Sequence, residues 1–317
     1  MNTLTRFAKY AWGVLIYNVA VILWGTYVRA TGSGAACGAH WPLCNGEVIP
    51  LAPQTAVIIE YSHRLMSGLA LIAVIILIVW AFRAYPQKHL ARLGATLSLL
   101  FMLSESLVGA GLVLFKLAGE NTSVVRAFTT SIHLVNTFLL LAVLTLTAWW
   151  ASGGRALRLR LDKKGWLFIL GVISILILGA SGAIAALGDV LFPSQTFAAG
   201  FAADLDPASH LFLRLRIFHP FIALAVGLYV MILSASFGLT QPQAKRFAAA
   251  LIALIAVNWI VGVVNVLLLA PAWMQMFHLL ITDALWITFI LMLAVLFGDA
   301  ATDVETLDAS PQPLPAK

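Results

Sequence analysis

Eight apolar runs divide this chain, at about 11–30, 57–83, 93–116, 127–150, 166–188, 213–237, 247–270 and 274–297. A helix needs about 20 apolar residues to cross a bilayer. Each run is long enough, and none alternates with period two. They therefore read as helices rather than barrel strands, the only other backbone arrangement that satisfies its polar groups in lipid. Composition agrees: 62% of the 317 residues are hydrophobic and 10% charged, against about 45–50% and about 25% in soluble domains. That excludes a water-soluble globular enzyme, a disordered chain and a nucleic-acid-binding domain. The first run follows Arg6 and Lys9 like a signal peptide, but no small-residue cleavage site follows it, so it counts as a helix.

Charge predicts the orientation. The N-terminal segment and the loops after the second, fourth and sixth spans hold twelve Lys and Arg, among them Arg6, Lys9, Arg155 and Lys245. The opposite side holds six: Arg29, Arg64, Lys116, Arg126, Arg214 and Arg216. The richer side is the cytoplasmic one, so both termini are expected in the cytoplasm of a multi-pass cell-membrane protein. The net charge of +6 reflects those loops rather than an acidic partner. The tail 299–317, acidic and then Pro-rich, reads as a disordered cytoplasmic end.

The two halves of the chain resemble each other. GTYVRATGSG (25–34) pairs with GASGAIAALG (179–188), and ESLVG (105–109) with NWIVG (258–262). Four spans per half make the repeat parallel, unlike the inverted repeats of many transporters. The expected fold is an all-α integral membrane protein, with eight transmembrane helices as two pseudo-symmetric four-helix bundles. The predicted units are 1–150, 151–298 and the tail.

Four of the seven histidines fall inside spans: His63, His133, His219 and His278. They lie on the second, fourth, sixth and eighth spans, all running inward. Each sits about five to seven residues past its span's start, or about 7–10 Å below the outer edge at 1.5 Å per residue. A histidine in hydrocarbon is costly and marks a functional site by default. Two imidazoles facing each other across a bundle core can ligate one heme iron. The plainer alternative, a hydrogen-bonded interhelical histidine, is weaker for four at matched depth. Two cysteines cannot hold an iron–sulfur cluster unaided.

Heme propionates need cationic partners. Arg29, Arg64, Arg126, Arg214 and Arg216 lie near the outer span ends, where snorkelling to the interface is the competing role. Glu60, in EYSHR, stands one helical turn before His63 and faces the same side. It can hydrogen-bond the histidine, bind an Arg or handle protons at a substrate, or serve only the helix dipole. In the second half Arg216 takes the matching offset from His219. Cys37 and Cys44 (CGAHWPLC) are spaced for a loop disulfide on the oxidising side. That bridge is structural or redox-active; a metal site with His40 is the remaining option. Glu105 and Asp283 are buried ionisable candidates for a proton path.

These residues resemble the heme A synthase family. The run from Gly25 through TGSG (31–34), CGAHWPLCNG (37–46) and EYSHR (60–64) carries the likeness, with RIFHP around His219 in the second half. The resemblance implies oxidation of a ring methyl of heme O to a formyl group, via a hydroxymethyl intermediate, for terminal oxidase biogenesis. It implies that His63 and His133 ligate the substrate heme, that His219 and His278 ligate a heme b cofactor, and that Glu60 is catalytic. It makes Cys37 and Cys44 the family's loop pair. Expected partners are heme O, membrane lipid, heme O synthase, cytochrome oxidase assembly proteins and an unidentified electron acceptor, but no nucleic acid. Some members carry a second cysteine pair before the sixth span; residues 189–212 have none. Glu105 stands where the family pattern leads one to expect Gln. The alternative is a non-catalytic diheme b-type membrane cytochrome that transfers electrons.

Overall fold

The computed structural model describes residues 4–51, 53–158 and 161–298, so the expected disordered tail at 299–317 lies outside the described residues. The described chain is helical, with isolated bridges but no strands. Eight helices are long and apolar enough to span a membrane. They are α1 (Arg6–Ala30), α2 (Thr55–Ala84), α3 (Leu90–Leu114), α4 (Val124–Ala151), α5 (Lys163–Leu191), the composite span Leu211–Gly238, α9 (Lys245–Leu267) and α10 (Ala272–Leu296). Each begins and ends within a few residues of its apolar run.

Local chemistry sets several starts. Thr5, Ser123 and Asp162 cap α1, α4 and α5 by accepting the backbone N–H three residues on, which satisfies a donor that the first turn leaves unpaired. The composite span is α7 (Leu211–Arg216), α8 (Phe218–Leu233) and a π-helical segment (Ser234–Gly238). The break at Ile217 has a cause: Pro220 has no N–H to give the carbonyl of Arg216. It falls beside His219. One element escapes an apolar-run reading: the short helix α6 (Phe197–Leu205), in the loop before α7.

Contacts run α1–α2, α2–α3, α3–α4 and α1–α4 in the first half. In the second half α5 packs on α7 and α8, α8 on α9, and α9 on α10, while α5 and α10 meet only slightly. The halves join where α4 meets α5 and α10, and where α1 meets α10. Trp286 on α10 donates its indole N–H to the carbonyl of Phe138 on α4 (2.7 Å), and both side chains are fully buried there. As a result α4 and α10, which carry His133 and His278, are the most enclosed spans.

Candidate functional site

Each intramembrane histidine packs its ring against a glycine on a neighbouring span. A methyl group built on Gly25 would lie 2.9 Å from Cε1 of His63, and one on Gly182 would lie 3.0 Å from Cε1 of His219. The corresponding distances are 3.7 Å for Gly109 and His133, and 3.4 Å for Gly262 and His278. The glycines leave space that a side chain would take from the imidazole. They also correct the register of the repeat. Gly25 matches Gly182 rather than Gly179, so the glycine-to-histidine intervals become 38 and 37 residues. Gly179 packs on Phe138 instead. The slip of three arose because residues one helical turn apart share a face.

All four histidines line one cavity of about 1720 Å³ between the two halves. Typical ligand pockets hold about 300–1,000 Å³, so this one has room for more than one large ligand. The rings of His219 and His278 have centroids 6.5 Å apart. Two imidazoles on opposite sides of one metal, each bonded at about 2 Å, separate their centroids by roughly 6–6.5 Å. The pair therefore fits a bis-histidine iron. His63 and His133 line the same cavity. The Nδ1 atoms of His63, His133 and His278 have no hydrogen-bonded partner; that of His219 pairs with the Ser181 hydroxyl at 3.0 Å.

Glu60 is buried (3% exposed) and lines the cavity with His63. Its Oε2 accepts the backbone N–H of Cys37 at 2.8 Å. Its Oε1 accepts Nε of Arg64 at 3.1 Å and forms an ion pair with Nη2 of the same side chain. Nη1 of Arg64 donates to the carbonyls of His40 and Leu43. Cys37 and Cys44 form a disulfide, so the bridged loop is tied to the carboxylate from both ends. Among the described residues no three His, Cys, Asp or Glu side chains converge as a bare-metal site. The His40 option is corrected accordingly, since the bridge consumes both thiolates.

The five arginines separate. Arg64 is committed to Glu60 and the loop. Arg126 is buried, and its Nη1 donates to the carbonyls of Gly119 and Asn121 (2.6 and 2.7 Å). Arg216 pairs with Asp189 (2.7 Å) and Asp204 (2.5 Å), which tie α5, α6 and α7 together. Arg214 is exposed and does not line the cavity. Two residues apart on a helix are about 200° apart, so Arg214 and Arg216 cannot both face inward. Arg29 differs from all of these. Its Nη2 donates to Oε1 of Gln275 on α10 (3.0 Å), and its Nη1 is buried without a hydrogen-bond partner. A buried, unsatisfied guanidinium nitrogen on a cavity wall suits a carboxylate ligand.

Sequence reasoning missed Asp189, Asp204 and Gln275; an acid near a span end, as in LGDV, was the available signal for Asp189. It noted Glu105 without a partner, and the structure sets it beside His133. Asp283 is fully buried, its oxygens without hydrogen-bond partners, and lies outside the cavity wall. It does not join the other site residues.

Comparison with known proteins gives three results. Residues 8–290 match the family model COX15-CtaA, described as "Cytochrome oxidase assembly protein". The chain is 50% identical over 304 residues to a Thermus thermophilus protein named "Protoheme IX farnesyltransferase", covering 95% of this chain and 50% of that protein. It thus spans about half the length of such relatives. It is also 48% identical over 97 residues to a "Heme A synthase" of Halalkalibacterium halodurans, and 46% over 103 residues to one of Alkalihalophilus pseudofirmus. These matches cover 31% and 32% of this chain, and 33% of each relative.

Proposed function

The chain belongs to the COX15-CtaA family of cytochrome oxidase assembly proteins, and from that premise we propose that it acts as a heme A synthase. The reaction oxidises one ring methyl of heme O to a formyl group through a hydroxymethyl intermediate; written with water as oxygen donor it is R–CH3 + H2O → R–CHO + 4 H+ + 4 e−, the electrons leaving to an external acceptor. In this reading the chain forms two pseudo-symmetric four-helix bundles. Residues 1–150 hold the substrate between His63 and His133, and residues 151–298 hold heme b between His219 and His278. Both termini face the cytoplasm, with the heme sites toward the outer face. Heme b, when bound, supplies one-electron redox chemistry.

The chain's own residues hold, orient and handle protons. The four glycines leave the imidazoles room to face the cavity. Arg29 offers its free Nη1 to a propionate. Glu60 is held in place by Arg64 and the Cys37 N–H. Its Oε2, which accepts only that N–H among the described groups, takes the proton released as the substrate carbon is oxidised. The disulfide holds the loop that supplies this N–H.

The relative named as a protoheme farnesyltransferase supports a partner. Such an enzyme makes a prenylated heme, and half of that relative is similar to this chain. A heme O synthase would therefore deliver substrate, and oxidase assembly proteins would take the product.

One observation carries the reading: two pairs of glycine-backed histidines on one large cavity. Its test is to purify the protein in detergent from cells that make heme O, extract the hemes and identify them by mass. Heme O, its hydroxylated form or heme A alongside heme b is the expected result. Heme b alone shifts the reading to a diheme electron carrier. No heme at all overturns the four-histidine argument.

A further inference from the structure

Glu105 on α3 faces the ring of His133 on α4. Its Oε1 lies 3.3 Å from Nδ1 of His133, a close approach that is not aligned as a hydrogen bond, and that nitrogen has no other partner. The carboxylate is held in place. Asn136 Nδ2 donates to Oε2 at 2.6 Å, and the Thr137 hydroxyl donates to Oε1 at 2.5 Å. The same hydroxyl reaches the carbonyl of His133 at 2.9 Å. Asn136 is itself fixed, since the Ser104 hydroxyl donates to its Oδ1 at 2.7 Å. The acid is thus pinned by the helix that carries the histidine.

The second half repeats this scaffold without the acid. The Thr282 hydroxyl donates to the carbonyl of His278 at 2.9 Å, and Asn258 donates to that hydroxyl at 3.1 Å. Asn258 precedes Gly262 by four residues, as Glu105 precedes Gly109. Nδ1 of His278 and Oδ1 of Asn258 both lack a hydrogen-bond partner. At this position an amide stands where the first half has a carboxylate. Among the described residues, His133 is the one intramembrane histidine with a carboxylate at its Nδ1.

We propose that Glu105 is a positioning residue for His133: when His133 binds iron, its Nδ1–H, 3.3 Å from Oε1 in this structure, turns onto the carboxylate as a hydrogen bond, which leaves Nε2 as the nitrogen facing the cavity and makes His133 a stronger donor to iron than His278. This rests on the reading of His133 as a ligand of the substrate heme. The reason is general. A carboxylate on the far nitrogen of a ligating imidazole fixes its tautomer and raises its basicity. A more basic ligand favours ferric over ferrous iron, so heme in the first half holds its electron less tightly than heme in the second.

The test uses the full-length purified protein, titrated with ferric protoporphyrin so that both halves fill. His63→Ala and His219→Ala assign the two low-spin electron paramagnetic resonance signals. In Glu105→Gln, the first-half signal moves toward the g values of the second, its midpoint potential rises, and its porphyrin affinity falls about 10- to 100-fold. The second-half signal stays unchanged and reports that the fold is intact. Unaltered g values and potential with both sites filled overturn the inference. If Glu105→Gln empties the first half, Asn258→Glu decides: a shift of the second-half signal toward the first supports the inference, and an unchanged signal overturns it. A first-half signal that survives His133→Ala defeats the underlying ligand reading, independently of Glu105.

Discussion

The two halves of this protein share a scaffold and differ in what surrounds it. Both set a histidine against a glycine twice; the first interval matches at 38 and 37 residues, and the second is shorter in the second half, 16 against 24. Three residues before the first histidine, one half has Glu60 and the other Arg216. Glu60 is bound to Arg64 and the disulfide loop; Arg216 is neutralised by Asp189 and Asp204. Beside the second histidine, one half has Glu105 and the other Asn258. The repeated part is a pair of glycine-backed histidines in each half, all on one large cavity. The part that diverged is the charge around those histidines, and in the proposed reading that charge separates a half that performs chemistry from one that passes electrons.

The largest effect should come from the histidines themselves. His63→Ala is expected to abolish heme A formation and empty only the first half, whereas His219→Ala empties the second and also stops turnover. Heme extraction from each variant checks this, and loss of both hemes from either would show that the halves are not separable. Next comes Glu60→Gln. It keeps both hemes but slows heme A formation by about 10²–10⁴-fold, the span of general acid–base catalysis. Arg216→Gln should not reproduce that slowing. Heme A accumulating at the normal rate in the Glu60 variant would remove the main difference between the halves.

Smallest are the glycines. Gly25→Ala and Gly182→Ala put a methyl 2.9 and 3.0 Å from an imidazole, an overpacking cost of about 1–3 kcal/mol. Gly109→Ala, at 3.7 Å, makes ordinary contact and costs less. Thermal unfolding in detergent, together with heme content, should rank Gly25 and Gly182 as the more damaging pair. The same ranking in both halves would confirm that the scaffold is duplicated.

Much of this was legible beforehand, because the relevant signals are local. Span limits follow from apolar runs, and so does the place of each histidine a few residues past the start of its span. Glu60 and His63 share a face because they are one turn apart. Other features were not legible. The repeat register slipped by a turn because Gly179 and Gly182 lie on nearly the same helix face, and only contact with His219 distinguishes them. The arginines looked alike as five cations near span ends. In the fold, Arg64 is spent on Glu60, Arg126 on the carbonyls of Gly119 and Asn121, Arg216 on two aspartates, and Arg214 is exposed, which leaves Arg29 with an unsatisfied nitrogen.

The chain's own order of residues was enough to determine eight span-length helical segments, their approximate limits, four histidines near the starts of their spans and a disulfide-spaced loop. Each depends on neighbours within a turn or two, where helix geometry converts sequence distance into space. The tertiary structure alone decided which polar groups meet. Arg29 finds Gln275 across 246 positions of sequence, and Glu105 finds His133 from an adjacent helix. In a membrane interior a buried polar group is costly until it is paired. The choice of pair is therefore set by how the helices pack, and no local pattern carries that information.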